Sequence, residues 1–251
     1  MTQSTLKRLA ILFMFCDHFA KVVLSAGILR PVLGAAGNEQ LMILLESVGR
    51  IAFPIFAWFV AEGCRKTHNF PRYLGRMAIF AVLSEAPFQY CFYAAGENGL
   101  RLGCHNVMFT LLLAAAGIYA SKLLENYEIP RMPAVLLPSI LAVTLGWVLQ
   151  TDYNAWGVAL ILMLYYLPEK KQRLILLACW MTVFMLLWTA GTAKPSSGSG
   201  QTARVCAGCG WAAWLRCRCW PVIRGSAAEA INGCFMPFIP CILRCSTAFA
   251  A

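Results

Sequence analysis

Five ionisable residues stand inside otherwise apolar stretches of this sequence: Asp17, His18, Arg50, Glu62 and Glu85. In a bilayer each such group costs about 2.5–3.5 kcal/mol on insertion scales, so each needs a partner, a water-filled cavity or a function. On a helix, residues four apart share a face, so Asp17 is expected to pair with Lys21, whereas Asp17 and His18 diverge by about 100°. That leaves His18 available either as a histidine bonded within a bundle or as a general acid or base near neutral pH. Arg50 precedes Ile51-Ala52-Phe53-Pro54, where the proline releases a backbone carbonyl and is expected to kink the helix into a polar cavity. An arginine there suits an anion.

Glu62, Arg65 and His68 follow at i, i+3 and i+6 and run into a basic turn with Arg72 and Arg76. A cluster of this kind suits phosphate-bearing ligands, or is a set of ordinary cytoplasmic loop charges with an internal Glu62–Arg65 pair. Glu85 sits just before Pro87 and is expected to answer one of the arginines. Asn106 and Thr110 open one apolar run and Asp152-Tyr153-Asn154 another; these residue types at such places are expected to cap helices or bond between them.

The elements that must carry these residues are apolar helices. Hydrophobic residues make up 60% of the 251 and charged residues 13%, against about 25% charged in soluble domains; the mean hydropathy is +0.65. Several runs approach the roughly 20 residues that cross a bilayer, and none shows the short alternation of a transmembrane barrel. The expected fold is all-α: a polytopic transmembrane helical bundle of about seven spans, near 6–28, 41–63, 73–94, 107–124, 133–149, 156–167 and 174–189. The sixth is short and is expected to begin at Tyr153 or Asn154. The first has a basic start and an apolar body but no convincing cleavage site, so it reads as a retained span.

A net charge of +10 would suggest nucleic acid in a soluble protein. Here its distribution gives another reading. With the N-terminus inside, the cytoplasmic segments hold Lys7, Arg8, Arg65, Lys66, Arg72, Arg76, Lys122, Arg131, Lys170, Lys171 and Arg173, and the opposite side only Arg30 and Arg101. That asymmetry predicts a multi-pass inner-membrane protein with a cytoplasmic N-terminus and no nucleic-acid partner.

After residue 190 the sequence changes character. Residues 191–200 are rich in Gly and Ser, and seven of the twelve cysteines lie from Cys206 onward. Cys206-x-x-Cys209 followed by Cys217-x-Cys219 lacks the spacing of a zinc ribbon, so no metal is expected. The expected domain division is 1–190 as a transmembrane domain and 191–251 as an anomalous Cys/Arg/Trp-rich tail, read as the product of a shifted reading frame. Shifted by two bases, the codons for 233–241 encode peptides such as Phe-Tyr-Ala-Phe-Tyr-Pro-Val-His, and those for 205–221 a largely apolar string.

Taken in order, several motifs resemble the TraX family: Leu6-Lys7-Arg8-Leu9-Ala10 leading to Met14-Phe15-Cys16-Asp17-His18; Gly49-Arg50-Ile51-Ala52-Phe53-Pro54-Ile55-Phe56-Ala57 with Glu62-Gly63; Ser84-Glu85-Ala86-Pro87-Phe88; Asn106-Val107-Met108-Phe109-Thr110; and Asp152-Tyr153-Asn154-Ala155-Trp156-Gly157. The resemblance covers about 6–189. It implies an acetyltransferase, associated with acetylation of the N-terminus of conjugative pilin subunits and distantly similar to membrane acyltransferases that use acetyl-CoA. Members resemble one another in a final helix bearing a Tyr-Pro-x-His-like stretch, which the shifted frame would restore.

On that reading His18 is the general base, Asp17 its neighbouring charge partner to Lys21 or Arg50, and Arg50 the stabiliser of the developing oxyanion. Arg65, His68, Arg72 and Arg76 would bind the cofactor phosphates of acetyl-CoA, with Glu62 and Glu85 positioning the arginines. The acceptor would be a pilin subunit or another envelope molecule. Two other classes fit the charges: a transporter with a midplane site at Asp17, His18, Arg50 and Glu85, although the halves show no internal repeat, and a pilus assembly factor without chemistry.

Overall fold

A computed structural model describes residues 3–92 and 104–192. The anomalous tail, with its cysteine pattern and its shifted-frame reading, lies outside the described residues.

Among those residues the regular structure is helical. In order they form α1 (Gln3–Phe19), a π-helical turn (Ala20–Leu24), α2 (Arg30–Gly49), α3 (Ala52–Lys66), α4 (Phe70–Phe92), α5 (Val107–Asn126), α6 (Arg131–Val148), α7 (Asn154–Tyr166) and α8 (Lys170–Thr192). Three segments are long and apolar enough to cross a membrane: Arg30–Lys66, Val107–Asn126 and Arg131–Val148. The short sixth run is α7, which begins at Asn154 and has 13 residues. At 1.5 Å per residue it rises only about 20 Å, less than the ~30 Å hydrocarbon core.

The first two spans are both interrupted, the first against the sequence reading and the second where Pro54 was expected to kink it. The first run does not continue as one α-helix: α1 ends at Phe19 and the chain widens into the π turn, closed by Ser25 N–H donating to the Ala20 carbonyl at 3.1 Å. The second span does not run unbroken through Arg50. Helix α2 ends at Gly49 and α3 starts at Ala52, because Pro54 has no N–H to donate to the carbonyl of Arg50 and its ring crowds that carbonyl. Helix α2 also begins earlier than expected, at Arg30, and turns at Gly34, whose φ of 72° lies in the left-handed region.

The described helices divide between two compact units. The first holds α1, the π turn, α2, the start of α3 to Phe56 and the end of α4 from Ala86. In it α1 and α2 pack along each other, and Asn38 Nδ2 of α2 donates to the Leu24 carbonyl at 3.0 Å, satisfying a group at the end of the π turn. The second holds α3 from Ala57, α4 to Glu85, and α5 to α8. Its centre is the mutual packing of α5, α6 and α7 at small residues. A β-carbon on Gly117 would stand 2.9 Å from that of Ala142, and one on Gly146 would stand 2.9 Å from Val158 Cγ2. Close backbone approach of this kind drives helix association in lipid, where apolar burial against water is absent. The outer side of α6 presents Leu137, Ile140, Leu141 and Val148, each about 60% exposed, as a lipid-facing surface requires.

Candidate functional site

In the first unit the polar residues gather where the end of α1 meets the end of α2. Asp17 is buried, and its Oδ2 accepts a hydrogen bond from Lys21 Nζ at 2.6 Å, the expected i, i+4 pair. Its Oδ1 is buried without a hydrogen bond. Arg50, 2% exposed at the end of α2, adds a second positive charge that acts on Asp17. The approach is close because residue 49 is glycine: a β-carbon there would stand 2.3 Å from Asp17 Cβ and 2.9 Å from its Cα.

His18 differs from the expectation. Its Nδ1 bonds to the carbonyl of Met14 at 2.8 Å and lies 3.7 Å from Asp17 Oδ2, so the two adjacent side chains do approach each other. The ring turns back along its own helix to the i−4 carbonyl, which brings the near edge of the imidazole past Asp17. A carbonyl only accepts, so Nδ1 carries the proton and the basic lone pair of the neutral ring is on Nε2. Glu46 is also buried, one turn before Arg50. The insertion-cost argument applied to the other charges would have singled it out.

At one end of the second unit, Glu62 is the hub of an ion network. Its Oε1 accepts from Arg65 Nη1 at 2.8 Å and from Arg173 Nη1 at 2.6 Å, and Lys66 Nζ lies 3.5 Å from its Oε2. Arg65 also donates through Nη2 to the carbonyls of Leu164, Tyr165 and Leu167, filling acceptors left open at the end of α7. Lys122 Nζ donates to the Cys64 carbonyl at 3.1 Å and lies 4.8 Å from the Phe70 ring centre. Arg173, read from sequence only as a topology marker, sits 111 residues from Glu62, and no local pattern announces that pairing.

The other basic residues of the expected cofactor set lie near the start of α4. His68 and Arg72 are exposed, and Arg76 is half-buried with an Nε that makes no hydrogen bond. The Tyr73 hydroxyl is likewise buried and unbonded, and it fits because residue 63 is glycine, whose added β-carbon would stand 2.9 Å from it.

Among the described residues His105 and Asn106 stand beside Glu85, for which the sequence reading expected an arginine. His105 Nδ1 lies 2.8 Å from Glu85 Oε1, while Oε2 accepts from the Asn106 backbone N–H at 3.0 Å and from its Nδ2 at 2.6 Å. Asn106 caps α5, its Oδ1 accepting from Met108 N–H at 2.9 Å, as its residue type predicts. Pro87 does not end α4, which continues to Phe92. Among the described residues no group of three or more His, Cys, Asp or Glu could hold a metal ion.

Helices of bilayer length, a lipid-compatible outer face and charges paired between helices define a polytopic all-helical membrane protein. Within that class the chain belongs to the TraX protein family, which it matches over residues 2–210. The match runs past residue 189, where the resemblance read from motifs stops. The chain is 31% identical over 177 residues to the probable fimbrial assembly protein FimC, serogroup H1, of Dichelobacter nodosus. The aligned part is 68% of this chain and 64% of that protein, so the chain spans less than two thirds of its relative. No solved structure matches it.

Proposed function

We propose that this protein is an acetyltransferase embedded in the inner membrane with its N-terminus in the cytoplasm, moving an acetyl group from acetyl-CoA to a pilin N-terminus or another envelope acceptor. The observation that carries this reading is His18: its Nδ1 bonds to the Met14 carbonyl, which puts the basic lone pair of the neutral ring on Nε2, beside a buried carboxylate, a buried arginine and a nearly buried lysine. Nε2 takes the proton of the attacking amine or hydroxyl as the new bond to the acetyl carbon forms, and returns it to the departing CoA thiolate. Arg50 and Lys21 supply positive charge in a region of low dielectric, where a developing oxyanion gains most from it. Asp17 holds Lys21 in place. Of the basic residues named for the CoA phosphates, Arg76 keeps a donor unspent, whereas Arg65 is engaged with Glu62 and the end of α7.

The relative's description as a fimbrial assembly protein supports a pilus-related role. It also favours a second reading, an assembly factor without chemistry. Purified protein in detergent with labelled acetyl-CoA separates the two. The enzyme releases CoA and passes label to an added acceptor, and His18→Ala abolishes both. Release from wild type no faster than from His18→Ala removes the enzymatic reading, and solute uptake into vesicles without acetyl consumption establishes a transporter in its place.

A further inference from the structure

The part of α4 that belongs to the second unit carries two arginines followed by an apolar strip on one face. Arg72, Arg76, Ile79 and Leu83 follow at i, i+4, i+7 and i+11, which sets them within about 60° of one another around the helix. Arg72 is exposed, and Ile79, Val82 and Leu83 are 59%, 65% and 59% exposed. We infer that this face binds an anionic glycerophospholipid, with the headgroup phosphate on Arg72 and Arg76 and an acyl chain along Ile79 and Leu83.

Arg76 carries most of this argument. It is half-buried, its Nε is buried without a hydrogen bond, and it forms no ion pair among the described residues. A guanidinium keeps its charge at any pH a protein meets, so it cannot escape the cost of burial by losing a proton. Other half-buried cations of this unit have their acceptors: Arg65 and Arg173 share Glu62, and Lys122 has the Cys64 carbonyl. On α4 itself the first carboxylate is Glu85, nine residues on and roughly 13 Å further along the axis. An anion from outside the chain fits the charge that remains.

The shape and order of the face point to a lipid. Gly75 lies one turn from both Arg72 and Ile79, and nothing stands within 4 Å of a β-carbon added to it, so the arginines border an open notch. Ile79 and Leu83 lie roughly 4 and 10 Å beyond Arg76 along the axis, the sequence in which a phospholipid presents its phosphate and then its acyl chain. Two guanidiniums repel the ammonium of a zwitterionic headgroup, so charge complementarity selects an anionic lipid, and basic residues at membrane-helix ends bind such headgroups. Arg76 is also the arginine offered to the CoA phosphates above, so lipid and CoA compete for it. The lipid site itself does not rest on the acetyltransferase reading.

Native mass spectrometry of the full chain in detergent, titrated with phosphatidylglycerol or with phosphatidylcholine of the same acyl chains, tests this. Wild type is expected to retain phosphatidylglycerol in preference to phosphatidylcholine. The double variant Arg72→Gln with Arg76→Gln is expected to bind phosphatidylglycerol about thirtyfold more weakly. Lys170→Gln with Lys171→Gln removes the same charge from exposed positions on α8 and is expected to bind as wild type does. Gly75→Leu keeps both arginines but fills the notch, and is expected to weaken binding as well. Equal retention of the two lipids by wild type overturns the proposal, and so does an equal loss in the two double variants, which would mean attraction to net charge alone. Displacement of phosphatidylglycerol by excess CoA supports both occupants of Arg76. Retention of the lipid in the presence of CoA leaves the lipid site standing and removes the CoA phosphates from Arg76.

Discussion

A β-carbon on Gly49 would stand 2.3 Å from the β-carbon of Asp17 and 3.0 Å from its backbone nitrogen. The obstructing atoms belong to the backbone and to the first carbon of the side chain, so no rotamer change relieves the clash. Gly49→Ala must therefore push α1 and α2 apart, with an overpacking cost of about 1–3 kcal/mol or more. Gly75 of α4 has nothing within 4 Å of its added β-carbon, and alanine there improves helix propensity by about 1 kcal/mol. Thermal unfolding in detergent is expected to show a lower Tm for Gly49→Ala and an unchanged or higher one for Gly75→Ala. Equal melting of Gly49→Ala and wild type would show that the two helices do not pack this closely.

The Asp17–Lys21 pair makes a second prediction. Both side chains are nearly buried, at 11% and 13% exposure, so removing one partner leaves a buried charge uncompensated, at a cost of roughly 3–5 kcal/mol. Arg50 also acts on Asp17, which holds the expected cost of Lys21→Met near the lower end. The double variant Asp17→Asn with Lys21→Met removes the orphaned charge and is expected to be more stable than Lys21→Met alone. A double-mutant cycle in chemical unfolding reads the coupling, and additive losses would dissolve the pair.

These two cases mark what the sequence can and cannot convey. Spacing along one helix is legible: Asp17 with Lys21, Glu62 with Arg65, and the Asn106 cap all follow from helical geometry and residue type. Apolar runs likewise locate the helices, because lipid demands an outer face without charges. Contacts between helices are not legible. Nothing near Glu62 announces Arg173, and nothing near Glu85 announces His105, because those partners are set by how helices from distant parts of the chain pack. The His18 rotamer was hidden for a different reason: helical angles give the direction in which a side chain leaves the backbone, not whether its ring turns back to a carbonyl four residues earlier.

Arg65 and Arg76 are expected to respond differently to substitution, although both stand in the basic region read as a phosphate site. Arg65 bonds to Glu62 and to carbonyls at the end of α7, a fan of donors that lysine cannot reproduce. Arg65→Lys is therefore expected to lower stability by about 1–3 kcal/mol, with little change in the KM for acetyl-CoA among molecules that remain folded. Arg76 keeps an unbonded Nε. Arg76→Gln is expected to leave the Tm near that of wild type and to raise the KM for acetyl-CoA about tenfold, which is the loss of one charge-assisted bond. An unchanged KM in Arg76→Gln would move the phosphates elsewhere.

The orientation proposed for the chain can be tested at two turns that flank α7. The turn between α6 and α7 contains Asp152 and no Lys or Arg, whereas the turn between α7 and α8 leads directly into Lys170, Lys171 and Arg173. Basic residues resist translocation, so the second turn is expected on the cytoplasmic side and the first on the opposite side. A fluorescent protein that matures only in the cytoplasm, fused after Pro168, should be bright, and the same protein fused after Asp152 should be dark. An enzyme that folds only outside the cytoplasm should give the reverse pattern. The reversed outcome would place Arg76 and its neighbours, through the parity of the helices between, on the side where acetyl-CoA is absent. The acetyltransferase reading would then lose its source of donor, whatever the chemistry of His18.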